Sequence, residues 1–211
     1  MNGENIVLIT AGGIGQRFGN EMPKQFFEIN GKPVIGYVID ACKKSKLIDD
    51  IVVAADPRYH DNIVKQYDVK VAESGSTLNE SKRNGFDYIK ANFNCKKLIV
   101  ADAVRPALQS KTIDEIFILL EKYDAVACAK KITDSLGRYG EWIVNREEYY
   151  TLYAPEGFDF ELLDKNFSAS SPYTESIQQL PEESNVFLFF DAPYFDKLTY
   201  PEDVRKLAMI L

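Results

Sequence analysis

Short, wholly apolar runs alternate along the chain with longer stretches in which apolar residues recur every three or four positions. The runs at 6–9, 51–55, 98–101 and 125–129, with 69–72 interrupted only by Lys70, are too short for helices and are bounded by polar or turn residues. Each predicts a strand buried on both faces. Between the first two, residues 33–45 open on a proline and place Val34, Tyr37, Val38 and Ala41 on one helical face. Further helices are predicted over 61–66, 79–91 and 112–122, the second capped by Ser76, Thr77 or Asn79. This βαβα rhythm predicts a doubly wound, mostly parallel α/β sheet with helices on both faces.

The rhythm breaks after Lys130. Residues 131–153 are polar, aromatic and poorly periodic, with possible strands near 142–144 and 149–152, which fits a hairpin arm leaving the body of the domain. A helix over 158–167, a strand over 186–190 and a terminal helix over 201–211 complete the reading. Pro201, Glu202 and Asp203 suit the start of that last helix. No internal repeat or linker divides the chain, so 1–211 reads as one domain with 131–153 as its arm.

Composition narrows the partners. A net charge of -7 argues against broad binding to nucleic acid or to an anionic membrane surface, and no apolar run has the length of a membrane span. Cys42, Cys95 and Cys128 fall in no metal-ligand spacing and read as reduced thiols of a cytoplasmic protein. The single histidine, His60, lies between Tyr59 and Asp61 and reads as a surface residue. One histidine leaves no Ser–His or Cys–His pair and no His-rich zinc site.

The chemistry concentrates in 8–26. Four glycines follow the first strand, and the loop then presents Arg17 and Lys24. Glycines let the backbone approach a ligand, and their N–H groups form a concave anion site at the edge where open α/β sheets bind ligands. Two cations at the same place predict a polyphosphate. A dinucleotide fingerprint fails because Phe18 stands at the third glycine position, and a P-loop fails because Gly31-Lys32 is followed by Pro33. That spacing disfavours a dehydrogenase.

Gly-Gly-x-Gly-x-Arg-x-Gly from Gly12 to Gly19, followed by Pro23-Lys24-Gln25-Phe26, resembles the signature of the methylerythritol-phosphate and ribitol-phosphate cytidylyltransferases. Further segments resemble that family in the same order. Asp102, Arg105 and Pro106 match its His-Asp-Ala-(Ala/Val)-Arg-Pro, with Ala101 in place of the histidine. Ser81 and Gly85 match its Gly-Gly-x-x-Arg-x-x-Ser segment, with Leu78 in place of the arginine. The segments at Ser135, Arg146 and Thr174 resemble its arm and acceptor-side motifs. Ala154-Pro155-Glu156 stands for Thr-Pro-Gln, and Lys197 opens a matching Lys-x-Thr-x-Pro-Glu-Asp. An aspartate usual three residues before that lysine is Tyr194 here.

The resemblance implies a Rossmann-like nucleotidyltransferase fold with a protruding β-arm. It implies cytidylyl transfer from CTP to a small phosphorylated polyol, with Mg²⁺ as divalent cation. Arg17, Lys24 and Lys197 would be catalytic. Ala11, Gly12, Gly13, Gly15, Gly75, Ser76, Asn79 and Ser81 would hold the nucleotide. Arg105, Ser135, Arg146 and Thr174 would hold the acceptor, and Asp102 the metal. The arm would join two subunits in a homodimer. The departures fall on the acceptor side, which points to an alditol phosphate used for surface polymers. Methylerythritol phosphate is the alternative acceptor, and a non-catalytic nucleotide-binding regulatory paralogue is the alternative of another class.

Overall fold

In chain order the elements are β1 (Asn5–Ala11), the short pair β2 (Glu28–Ile29) and β3 (Lys32–Pro33), α1 (Val34–Lys44), β4 (Asp50–Ala55), α2 (His60–Tyr67) and β5 (Lys70–Glu73). Then follow α3 (Leu78–Asn92), β6 (Lys97–Asp102), α4 (Ser110–Leu119), β7 (Ala125–Lys131), β8 (Tyr150–Asp159), α5 (Phe160–Asn166), β9 (Val186–Phe189) and α6 (Asp203–Ile210). The computed structural model describes residues 4–13, 18, 22–193 and 195–211.

Among the described residues seven strands form one sheet in the order β5-β4-β1-β6-β8-β7-β9, and β2 and β3 form a separate pair. Every neighbouring pair in the large sheet is parallel except the two made by β8. The chain winds from β1 outward through β4 and β5, then returns to the other side of β1 with β6. That reversal opens a crevice at the C-terminal ends of β1 and β6, the place where doubly wound sheets bind ligands.

Burial on both faces explains the unbroken apolar runs. In β1, Val7 and Ile9 join Ile35, Ile39, Ile113 and Phe117 in the core under α1 and α4. Ile6 and Leu8 face the other way and join Phe86, Ile89 and Leu163 under α3 and α5. Gly85 lets α3 sit close on β1, since a Cβ there would lie 2.6 Å from both terminal carbons of Leu8. A third, smaller cluster joins Phe18, Ile29 and Val34 to Val104, Leu198 and Leu207, and so ties the C-terminal segment to the edge of β6.

Three expectations need correction. The aromatic stretch at 142–144 forms no strand. Between β7 and β8 the backbone makes only an isolated bridge, Arg138 to Glu141, and a 3-10 turn at Arg146–Glu148. The helix expected over 158–167 begins later, because Phe158 and Asp159 end β8. Phe158, Phe160 and Leu163 all enter the same core, so a strand end and a helix start together mimic helical spacing. Asp159 caps α5 by accepting the Leu162 N–H at 2.9 Å. His60 is half-buried rather than on the surface, with Nε2 2.9 Å from the Ala55 carbonyl at the end of β4. Among the described residues, no helix is long and apolar enough to cross a membrane.

Candidate active site

The end of β1 is where the fold becomes chemical. Thr10 is buried and its hydroxyl donates to the Ala101 carbonyl at 3.2 Å, fixing β1 against β6 at the mouth of the crevice. After Ala11 the chain turns through Gly12 and Gly13. Gln25, 3% exposed, donates its amide to the Ala11 and Gly13 carbonyls from inside the 3-10 turn Lys24–Phe26. That contact pins the glycine turn and seats the neighbouring Lys24 at the cleft wall.

The opposite wall is the turn before α3. Thr77 caps the helix with a capping box: its side chain accepts the Glu80 N–H, and Glu80 reaches back to the cap. Ser81 donates to the Thr77 carbonyl at 2.8 Å and accepts the Gly75 N–H at 3.0 Å, folding the Ser74–Thr77 turn onto the helix. The two walls meet at Gly12. A Cβ there would lie 2.4 Å from Ser74 Cβ and 2.8 Å from Ser81 Oγ, so only glycine allows this approach.

The resulting cleft has a volume of about 870 Å³, enough for a nucleotide. Its remaining edge carries charge. Asp102, at the end of β6, accepts from Lys197 Nζ at 2.9 Å and from Arg105 Nε at 3.2 Å, both on Oδ2. Burial alone would push this carboxyl up, but Lys197 and Arg105 outweigh it and hold its pKa at about 2. Asp102 is therefore an anion throughout the physiological range, facing the cleft beside Lys197.

The predicted residues separate into those the cleft gathers and those it does not. Ala11, Gly12, Gly13, Lys24, Gly75, Ser76, Ser81, Asp102 and Lys197 all line it. Gly15 and Arg17 lie outside the described residues. Arg105 is buried beneath Asp102, with Nη1 donating to the Phe195 carbonyl and its guanidinium over the Tyr153 ring. Asn79 is buried with its amide on the Ser171 and Tyr173 carbonyls, at 3.0 and 2.9 Å. Ser135 is exposed, and Arg146, also exposed, donates to the Thr133 carbonyl and pairs with Glu147 at 3.4 Å. Thr174 is exposed, its carbonyl held by Lys82 Nζ at 2.6 Å.

Sequence reasoning missed several residues of the site. Asp56 and Glu73, at the ends of β4 and β5, line the cleft. The pKa of Asp56 is lowered to about 2 by hydrogen bonds from the Arg58 side chain and backbone. Lys82 and Glu156 are buried and Glu175 half-buried, and the Lys82 charge is felt at Asp102 and at Glu175. The signal for Asp56 and Glu73 was their place just past apolar runs; Glu156 stood in the altered Thr-Pro-Gln segment, and nothing local marked Lys82.

This architecture has known counterparts. The family model described as 2-C-methyl-D-erythritol 4-phosphate cytidylyltransferase, IspD, matches residues 5–182. The protein of that name from Thermotoga neapolitana is 28% identical, over 98% of this chain and 96% of its own. The bifunctional ribulose 5-phosphate reductase/CDP-ribitol pyrophosphorylase Bcs1 of Haemophilus influenzae is 29% identical, over 95% of this chain and 47% of its own. The solved structure of 4-diphosphocytidyl-2C-methyl-D-erythritol synthase from Anaerococcus prevotii shares the fold with a TM-score of 0.81 at 22% identity, covering 98% of this chain and 97% of that one.

Proposed function

This chain belongs to the 2-C-methyl-D-erythritol 4-phosphate cytidylyltransferase family of CTP-dependent enzymes, and we propose that it transfers the cytidylyl group of CTP to a small polyol phosphate. The observation that carries this reading is the meeting of Lys24, Lys197 and Asp102 around one cleft walled by the Gly12–Gly13 turn. A phosphate oxygen of the acceptor attacks the α-phosphorus of CTP in line. The new P–O bond forms as the bond to the β-phosphate oxygen breaks, and diphosphate leaves. A phosphate is already anionic, so no base is needed, and catalysis consists of positioning and charge stabilisation.

Lys24 faces the charge that develops on phosphorus, a role the family signature also assigns to Arg17. The backbone of Gly12 and Gly13 approaches the phosphates, while Gly75, Ser76 and Ser81, whose amides and hydroxyls are bonded within the wall, give the base and ribose a narrow, pre-shaped surface. Lys197 neutralises the acceptor phosphate. Asp102 fits a Mg²⁺ ligand: it is ionised, faces the cleft, and Mg²⁺ takes one or two carboxylates together with substrate phosphates. When bound, the ion would supply charge neutralisation to the triphosphate. Among the described residues no group of three or more histidines, cysteines or acids could cage a metal, which favours binding shared with substrate.

The acceptor side favours an alditol phosphate. Ala101 is buried within β6, Ala154 is buried in β8, and Glu156 turns both oxygens to the Ser176 and Ile177 N–H groups, at 2.9 and 3.1 Å. These positions, where the family pattern has His, Thr and Gln, therefore offer the acceptor no polar side chain. Methylerythritol phosphate is the second reading, favoured by the names of most of the similar proteins. The exposed Tyr139, Trp142 and Ile143 on the arm are 106%, 85% and 83% accessible, a surface suited to a second copy of the chain in a homodimer. Diphosphate release from CTP with ribitol 5-phosphate, glycerol 3-phosphate or methylerythritol phosphate tests the reading. Turnover with methylerythritol phosphate alone would overturn the acceptor. Full activity in Lys24→Ala would overturn the site.

A further inference from the structure

Lys82 is 3% exposed, yet its ammonium donates to a backbone carbonyl, Thr174 O at 2.6 Å, and to a hydroxyl, Ser176 Oγ at 2.9 Å, rather than to a carboxylate. Burying a cation this way is costly, and for stability alone an apolar side chain of similar volume serves as well or better. Its neighbours indicate what it does instead. Asn79, three residues earlier on the same face of α3, holds the Ser171 and Tyr173 carbonyls. Glu156 of β8 holds the Ser176 and Ile177 N–H groups from the other side. Residues 171–177 thus form a strap gripped by three buried side chains. Ser81, one residue before Lys82, folds the Ser74–Thr77 turn of the nucleotide wall.

We propose that Lys82 is a positioning residue for the acceptor: it locks the strap that carries Thr174 to the helix whose first turn builds the nucleotide wall. This rests on the proposed acceptor and on the family resemblance, which implies that Thr174 holds it. One helix then sets the spacing between the nucleotide wall, through Ser81, and the strap, through Asn79 and Lys82. The Lys82 charge is also felt at Asp102 and at Glu175, which joins the strap to the ion pair at the cleft edge.

The test compares Lys82→Met, Lys82→Arg and Ser176→Ala with wild type, varying CTP and the acceptor phosphate separately. Lys82→Met removes both hydrogen bonds and raises the acceptor KM at least about tenfold, the lower end of what a single hydrogen bond to a charged group is worth, and leaves the CTP KM within about twofold. Lys82→Arg restores part of the loss. Ser176→Ala, which keeps the cation and removes one bond, shifts the same constant less and serves where Lys82→Met does not fold. Equal shifts in both constants, or none, would overturn the proposal. Hydrogen exchange reads the strap without any acceptor: the bonded Ser171, Tyr173, Ser176 and Ile177 amides lose protection in the variant while the Gly75 amide keeps it. Unchanged protection of the strap also overturns the proposal. If wild type turns over none of the three acceptors, the acceptor reading fails, and the exchange result alone decides the role of Lys82.

Discussion

Gly12→Ala is the sharpest test of how the nucleotide wall is built. The added methyl would lie 2.4 Å from Ser74 Cβ, 2.8 Å from Ser81 Oγ and 2.9 Å from Ser74 Oγ. Carbon atoms settle near 3.5–4.0 Å, so the Ser74–Thr77 turn must retreat by about 1 Å. It cannot retreat freely, because Ser81 ties it to α3 through Gly75 N and Thr77 O. Overpacking of this kind costs about 1–3 kcal/mol of stability. The catalytic loss is larger than that implies, since a 1 Å misplacement at a reacting site costs on the order of a hundredfold in rate. The assay pairs thermal unfolding with kcat/KM for CTP. Ser74→Gly in the same chain removes two of the three close contacts, and it should recover a measurable part of both losses. A Gly12→Ala enzyme with wild-type melting and wild-type CTP kinetics would refute the packing argument. An unrescued double variant would place the fault elsewhere than at Ser74.

Other outcomes follow from the charged edge. Lys197→Met removes the largest charge that offsets the burial of Asp102, so the Asp102 pKa rises from about 2. A lowered carboxyl lends stability above its unfolded value and loses it as pH falls through the folded one, so the acid-unfolding midpoint of the variant moves up; an unmoved midpoint contradicts the pairing. Glu175 is raised to about 7 by burial and by the Glu156 carboxylate. Its contribution is present below the unfolded value of 4.5 and lost as pH rises through about 7, so Glu175→Gln gains stability relative to wild type between pH 5 and pH 8. A constant difference across that range in denaturant titrations would contradict it. Chelation of divalent cations abolishes diphosphate release, and Mg²⁺ restores it; full activity in excess chelator would remove Asp102 from its proposed role.

The parts of this molecule that could be read from its sequence are those whose causes are local. β1, β4 and β6 are buried on both faces, so each prints an unbroken apolar run. The nucleotide wall is local too: Gln25 reaches back only 12 and 14 residues to hold the glycine turn, and Ser81 closes its own loop over six. A motif is the trace of such short-range contacts, which is why the glycine loop, Lys24 and Ser81 could be named in advance. The strap is held differently. Lys82 meets Thr174 and Ser176 across 92 and 94 residues, and Glu156 meets Ser176 across 20. At each of these positions the adjacent residues gave no sign that a charge would be buried, and Lys82 in particular sits beside Arg83 in a stretch that reads as solvated helix. The same reasoning accounts for β8, whose final residues share a core with α5 and so imitated its period. With the strap positioning the acceptor as proposed, a substitution at its long-range contacts changes the substrate while leaving the nucleotide motif untouched. In that event variants at Asn79, Lys82 and Glu156 should alter acceptor constants before CTP constants.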